Sequence, residues 1–188
     1  IAGSGSATVD AGTGLITGVS VGTVTLTVNT TGDTSYNAAT TSQLITIGKS
    51  TPVLTITSAN TLNVDGTLTA TVSTTATYGR GGAVTYAIVA GSGSATVNAT
   101  TGLITGVSTG AVTLVATSAG DSNYNSTSAS QLITIGKTTP VLAITSANVI
   151  SVDGTLTATV SSTATNGRGG VITYAIVPAT GCAEVNTT

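Results

Sequence analysis

The 188-residue chain contains no Phe, Trp, Met or His, one Cys and three Pro, and only 5% of its residues are charged. Each shortage excludes a class of function. Without His, no His-dependent catalytic triad can be built. The four cations, Lys49, Arg80, Lys137 and Arg168, are scattered, and the five Tyr do not cluster with them. Nucleic-acid binding would want a basic stripe with aromatic platforms, so it is excluded. A net charge of -2 is too small to steer the chain to a polyanion or an acidic membrane surface. The six acids, Asp10, Asp33, Asp65, Asp121, Asp153 and Glu184, are far apart, with Asp10 and Asp33 the nearest two. A calcium loop gathers several acids within about a dozen residues, so no metal site and no cofactor are expected. There is no apolar run of about 18 residues, so no membrane-inserted helix is expected in this segment. The lone Cys182 has no internal disulfide partner. It reads as a small half-buried residue or as a thiol for a bond to another chain.

Scarce charge does not make the chain disordered. Hydrophobic residues make up 40% of it, and disorder needs low hydrophobicity together with high net charge. The abundance of Thr, Val and Ile favours sheet. The chain opens on Ile1, in the middle of a repeated phrase, and reads as a piece of something longer.

The repeat has a period of 88. Placing residues 3–100 on residues 91–188 gives 98 pairs, of which 68 are identical, with no gap. The period exceeds that of a solenoid and suits a small domain. The stretch "SQLITIGKSTPVL" (Ser42–Leu54) returns as "SQLITIGKTTPVL" (Ser130–Leu142). Read alone it could be a hairpin; the period makes it a boundary, with Pro52 and Pro140 interrupting the ladder on the far side. The expected organisation is the C-terminal half of a domain over residues 1–49, a complete domain over 50–137, and the N-terminal half of a third over 138–188.

Within the complete unit, strands are predicted at Val53–Thr57, Thr67–Ser73, Ala83–Val89, Ser94–Val97, Leu103–Thr105, Ala111–Thr117 and Gln131–Ile135. The turn signals "NVDG", "YGRGG", "AGSG", "NATTG" and "AGDSNYN" separate them. The alternation assigns Leu68, Ala70 and Val72 to one face, as it does Val112, Leu114 and Ala116, or Val84, Tyr86 and Ile88. About seven short alternating strands in under 100 residues predict an all-β, immunoglobulin-like sandwich, with Tyr86 in the central position often held by Trp. Asp65 and Asp153 should shape the "VDG" turns, and Asp33 and Asp121 the "GDTSYN" and "GDSNYN" turns. Tyr36 and Tyr124 should cap the end of the sandwich. "GRGG", at Gly79–Gly82 and Gly167–Gly170, lacks the strand–loop–helix setting of a phosphate cradle and reads as a flexible loop.

The run "ATV…TGLITGVS.G", followed by "GD..YN" and "ITIGK.TP", resembles the tandem bacterial immunoglobulin-like repeats of large surface proteins, including adhesins of the invasin and intimin kind. The resemblance covers essentially the whole chain. It implies an extracellular or cell-surface, non-enzymatic structural protein: a segment of a fibre, sheath, surface layer or stalk. The alternative is an adhesin module that binds a host receptor or glycan. The expected partners are neighbouring repeats or copies of itself, with glycans or a host surface under the alternative.

Placed on this topology, the scarce charges gather at the boundaries between domains. The candidate seam residues are Lys49, Asp65, Arg80, Asp121, Lys137 and Arg168. Their expected effect is on orientation, because exposed ion pairs contribute only about 0–1 kcal/mol each. The two half-domains admit two explanations. Either the chain is an arbitrary segment of a near-periodic protein, or each half completes its sandwich with a neighbouring molecule, head to tail, by strand complementation.

Overall fold

The computed structural model describes residues 3–77, 81–164 and 169–177. The chain divides into two compact units, Ile1–Lys137 and Thr138–Thr188. The described residues form strands and turns, without a helix, so none of them forms a membrane-crossing helix.

The first unit opens with β1 (Ser6–Val9), β2 (Ile16–Ser20), β3 (Gly22–Thr30) and β4 (Ala39–Ile47). Two antiparallel ladders join them, β1 to β2 and β3 to β4. After Ser50 come β5 (Leu54–Ile56), β6 (Thr61–Asn63), β7 (Thr67–Thr69), β8 (Val72–Thr74), β9 (Val84–Val89), β10 (Ser94–Val97), β11 (Leu103–Ser108), β12 (Gly110–Ser118) and β13 (Thr127–Gly136). These nine build a complete sandwich. One layer carries the order β10-β11-β7, with β8 continuing the β7 strand and pairing β5; the other carries β6-β13-β12-β9.

The alternation of the sequence becomes the two sides of each layer. On β12, Val112, Leu114 and Ala116 are completely buried, while Thr113 and Thr117 face outward. Ile133 and Ile135 of β13 and Ile104 of β11 join them, and Leu62, Ala70 and Tyr86 close over this group. Burying each of the larger aliphatic side chains contributes about 1.5–3 kcal/mol, so this cluster supplies most of the driving force. Tyr86 lies against the cluster as one of its large half-buried members, as its place in the alternation predicts.

The predicted strands are found with two changes. The run predicted at Thr67–Ser73 is divided, because its first part pairs with β11 and its second with β5. In addition, Thr61–Asn63 is a strand of its own, paired in parallel with the end of β13. Local pattern could not reveal it: three residues show no periodicity, and a parallel partner 73 residues away leaves no turn to recognise (Thr61 opposite Thr134). Asp65 follows directly, in the left-handed region at φ 62°. Its amide donates to the Gly106 carbonyl at 2.9 Å, tying one layer to the other. A Cβ on Gly106 would lie 2.5 Å from the Asn63 carbonyl oxygen, so only glycine fits beneath this crossing.

The opening strands repeat the closing strands of the sandwich residue for residue. Ser6 pairs with Ser20 as Ser94 pairs with Ser108, each through a 2.7 Å hydroxyl contact, and both ladders slip at the same place. Burial differs. Leu26 and Ile45 correspond to the buried Leu114 and Ile133 but remain partly exposed, because among the described residues only β1 and β2 lie across β3 and β4, with nothing in the places of β5, β7 and β8 in the facing layer or of β6 and β9 at the ladder edges.

The second unit contains β14 (Leu142–Ile144) paired with β15 (Val160–Ser162). It repeats the β5–β8 ladder, down to the threonine pair Thr145–Thr159 at 2.9 Å, which matches Thr57–Thr71. Here the core positions are open: Leu142 is 55% exposed where Leu54 is 6%. Leu114→Ala should therefore cost about 2–5 kcal/mol. Leu26→Ala, the same change one repeat earlier, should cost far less. Amide exchange compared between β12–β13 and β3–β4 would show the contrast.

Candidate functional site: the seam around Ser50

The loop joining β12 to β13 is first anchored to its own domain. The Asp121 carboxylate accepts hydrogen bonds from the amides of Asn123 (2.8 Å) and Tyr124 (2.9 Å) through Oδ1, and from Gly81 (3.2 Å) through Oδ2. Tyr124 is only 8% exposed, and its hydroxyl accepts from the Thr77 amide at 2.9 Å. The hydroxyl of the buried Ser118 donates to the Gly81 carbonyl. Gly82 packs directly on Gly120, where a Cβ would meet the carbonyl oxygen at 2.0 Å. The described end of the "GRGG" loop is thus held by hydrogen bonds and backbone packing, where a flexible loop was expected. The reason is non-local: its partners lie about forty residues on, at Ser118–Asp121.

The same loop then grips the segment that arrives from the preceding strands. Asn123 accepts from the Ser50 amide through its carbonyl (3.1 Å), and Asn125 returns an amide to the Ser50 carbonyl (2.9 Å). Ser50 is thereby bridged in parallel to Tyr124. The Asn125 side chain donates to the Thr51 hydroxyl at 2.9 Å. The Asn123 side-chain oxygen accepts from the Val21 amide at 3.0 Å, at the turn between β2 and β3. Lys49 places its ammonium 2.7 Å from the Asp121 carbonyl oxygen. A shallow pocket lined by Gly18, Val21, Ile47, Ser50 and Asn123 marks the joint, and the buried Pro52 seats the chain as it enters the sandwich.

Of the charges singled out in the sequence, Lys49 and Asp121 meet here, and the contact has a particular form. The ammonium is bound by a main-chain carbonyl, while the Asp121 carboxylate is occupied by three amides. Asp65 and Lys137 lie at the other pole of the sandwich, where the Val64 amide bonds to the Gly136 carbonyl at 3.0 Å. Arg80, Arg168 and Cys182 lie outside the described residues. Asn123 and Asn125 were not among the candidates. The signal for them was slight: "GDSNYN" in the complete unit against "GDTSYN" before it, which places Ser35 where Asn123 stands.

The earlier copy of the turn is built the same way. Asp33 Oδ1 accepts from Ser35 (2.7 Å) and Tyr36 (2.9 Å), but Tyr36 is 77% exposed. The Ser35 and Tyr36 amides hold the Asp33 carboxyl below its ordinary range. The Thr13 and Gly12 amides do the same for Asp10. Among the described residues no three acids or thiols come together as a metal site.

The two layers, their Ig-like order and the anchored polar loop define an immunoglobulin-like sandwich whose one pole receives the preceding segment. Residues 50–125 match the family model of the bacterial Ig-like domain (group 2), and this part of the chain is a domain of that family. Such domains are generally non-catalytic structural modules, typical of bacterial surface or extracellular proteins. No curated protein matches the chain.

Two outcomes follow. Asn123→Ala removes the acceptor for the Val21 amide, a loss of about 1 kcal/mol confined to the joint. Small-angle scattering should then report a broader maximum dimension, while the melting temperature of the sandwich changes little. The second concerns acid. With a folded value below the unfolded one, Asp33 contributes to the turn fully above its unfolded range near pH 4, and the contribution is lost as pH falls through the lowered value. The Ser35 and Tyr36 amide resonances should therefore begin to shift only below about pH 4.

Proposed function

We propose that the chain is a load-bearing segment of an extracellular bacterial structural protein, a fibre, sheath, surface layer or stalk, organised as a half-domain, a complete domain and a second half-domain. Its half-domains serve to join it to further repeats by strand complementation. The observation that carries this reading is the seam around Ser50. Five hydrogen bonds, from Val21, Lys49, Ser50 (as donor and as acceptor) and Thr51 to the Asp121–Asn125 loop, clamp the arriving segment against the sandwich. A joint that merely linked two globules would need none of them. With them, the orientation of successive domains is fixed and tension passes from one sandwich to the next through a defined path. Within the sandwich, the nine-residue ladder between β12 and β13 resists unravelling.

Scattering and force measurements test this. The first unit should behave as a rod with one preferred bend, and the complete sandwich should unfold under load in a single step. Asn123→Ala together with Lys49→Ala should make the joint flexible without lowering the force at which the sandwich unfolds. A joint equally rigid with both substitutions, or selective binding of the wild-type chain to a glycan array, would replace this reading with that of a binding module.

A further inference from the structure

We infer that the complete domain holds one internal water molecule where its chain crosses from one layer to the other, bridging the hydroxyl of Ser58 to the side-chain oxygen of Gln131. The crossing runs from the end of β5 at Ile56 to the start of β6 at Thr61. Both of its ends are fixed. The Thr57 amide donates to the Thr71 carbonyl at 2.8 Å in the first layer, and the Thr134 amide of β13 donates to the Asn60 carbonyl at 2.9 Å in the second. Between these points the backbone has left one ladder without joining the next, so its polar groups need partners from side chains or solvent.

Gln131 answers part of that need. It occupies an inward position of β13, opposite the buried Leu114 and on the same side as Ile133 and Ile135. The alternation calls for an apolar residue there. A carboxamide is tolerated because its nitrogen donates to the Ser58 carbonyl at 3.1 Å. Its oxygen is left over. Among the described residues, Gln131 Oε1 and Ser58 Oγ are the two buried side-chain polar atoms with no hydrogen-bond partner. They belong to the two residues that the 3.1 Å bond already joins, so both lie beside it. Burying such atoms unpaired is unfavourable, and protein interiors satisfy them with ordered water where no side chain does so.

The chemistry of the pair selects water over other small ligands. An amide oxygen only accepts, whereas a hydroxyl donates one hydrogen and also accepts. A water that donates to Oε1 and accepts from Oγ–H satisfies both at once. An anion would be repelled by the amide oxygen, and a calcium ion would need about six to eight oxygen ligands. An internal water is held by about two to four hydrogen bonds, of which this pair supplies two. The neighbouring polar groups do not compete for the two oxygens: the Thr57 and Thr71 hydroxyls bond each other at 2.9 Å, and the Asn60 carbonyl is taken by Thr134. The water completes the attachment of the crossing to β13, which the parallel pairing of Thr61–Asn63 continues.

A crystal structure of the 188-residue chain, at a resolution that shows solvent, should contain a water about 2.7–3.0 Å from both oxygens. In solution, oxygen-17 relaxation dispersion counts the water molecules that stay bound for longer than the protein takes to tumble, and exchange of the serine hydroxyl proton does not disturb it. Ser58→Ala combined with Gln131→Leu should lower that count by one per chain. Thr71→Val, which removes one member of the exposed hydroxyl pair next to the crossing, should leave it unchanged. A bond formed directly between the Ser58 hydroxyl and Gln131 Oε1, with no water beside them, would overturn the inference. So would an unchanged count in a double variant whose β12–β13 amides still exchange slowly. The crystal measurement needs no substitution, and it decides the matter if the double variant does not fold.

Discussion

Everything in this chain depends on covering the apolar face of one β-layer with another. A layer made of Thr on one side and Val, Leu and Ile on the other is stable in water only when its apolar side is closed. In the complete domain the closure is nearly perfect, and Ile104, Val112, Leu114 and Ile133 lose all contact with solvent. In the flanking segments the same residue types stand at the same ladder positions without that cover. Backbone pairing is retained in both cases, because a ladder needs only its immediate neighbour. Side-chain burial is not, because it needs the opposite layer.

The same division explains how the seam works. A chain with four cations and six acids cannot fix its joints through many ion pairs, and exposed pairs would contribute little. The Asp121–Asn125 loop uses main-chain groups and two asparagines instead. Asp121 acts inward, holding the amides that shape the loop, so that the Asn123 carbonyl and the Asn125 amide point at Ser50. Lys49 contributes through a main-chain carbonyl of that same preorganised loop. Rigidity within the domain is what makes contact between segments directional.

Much of this was legible in the residues themselves. Period-2 alternation located most of the strands of the sandwich and assigned Leu114 and Leu68 to the inner side. "VDG" announced a turn that only Asp, Asn or Gly enters readily, and "GD..YN" announced the Asp-centred turn found at Asp33 and Asp121. The 88-residue displacement divided the chain. What remained hidden involved partners distant in sequence. The parallel strand at Thr61–Asn63, the anchoring of Gly81 and Gly82 to Ser118–Asp121, and the reach of Asn123 to Val21 across 102 positions all belong here.

By itself, then, the sequence determined the local geometry: strands, turns, repeat and the choice of inward residue, since these arise from steric preferences and periodicity within a few positions. Tertiary structure alone decided which faces are closed, what Lys49 binds, and why Gly106 must be glycine while at Gly18 a Cβ would meet only the Ile47 side chain. Those outcomes depend on whether a second layer lies within contact distance, and two nearly identical stretches of sequence can differ completely in that respect.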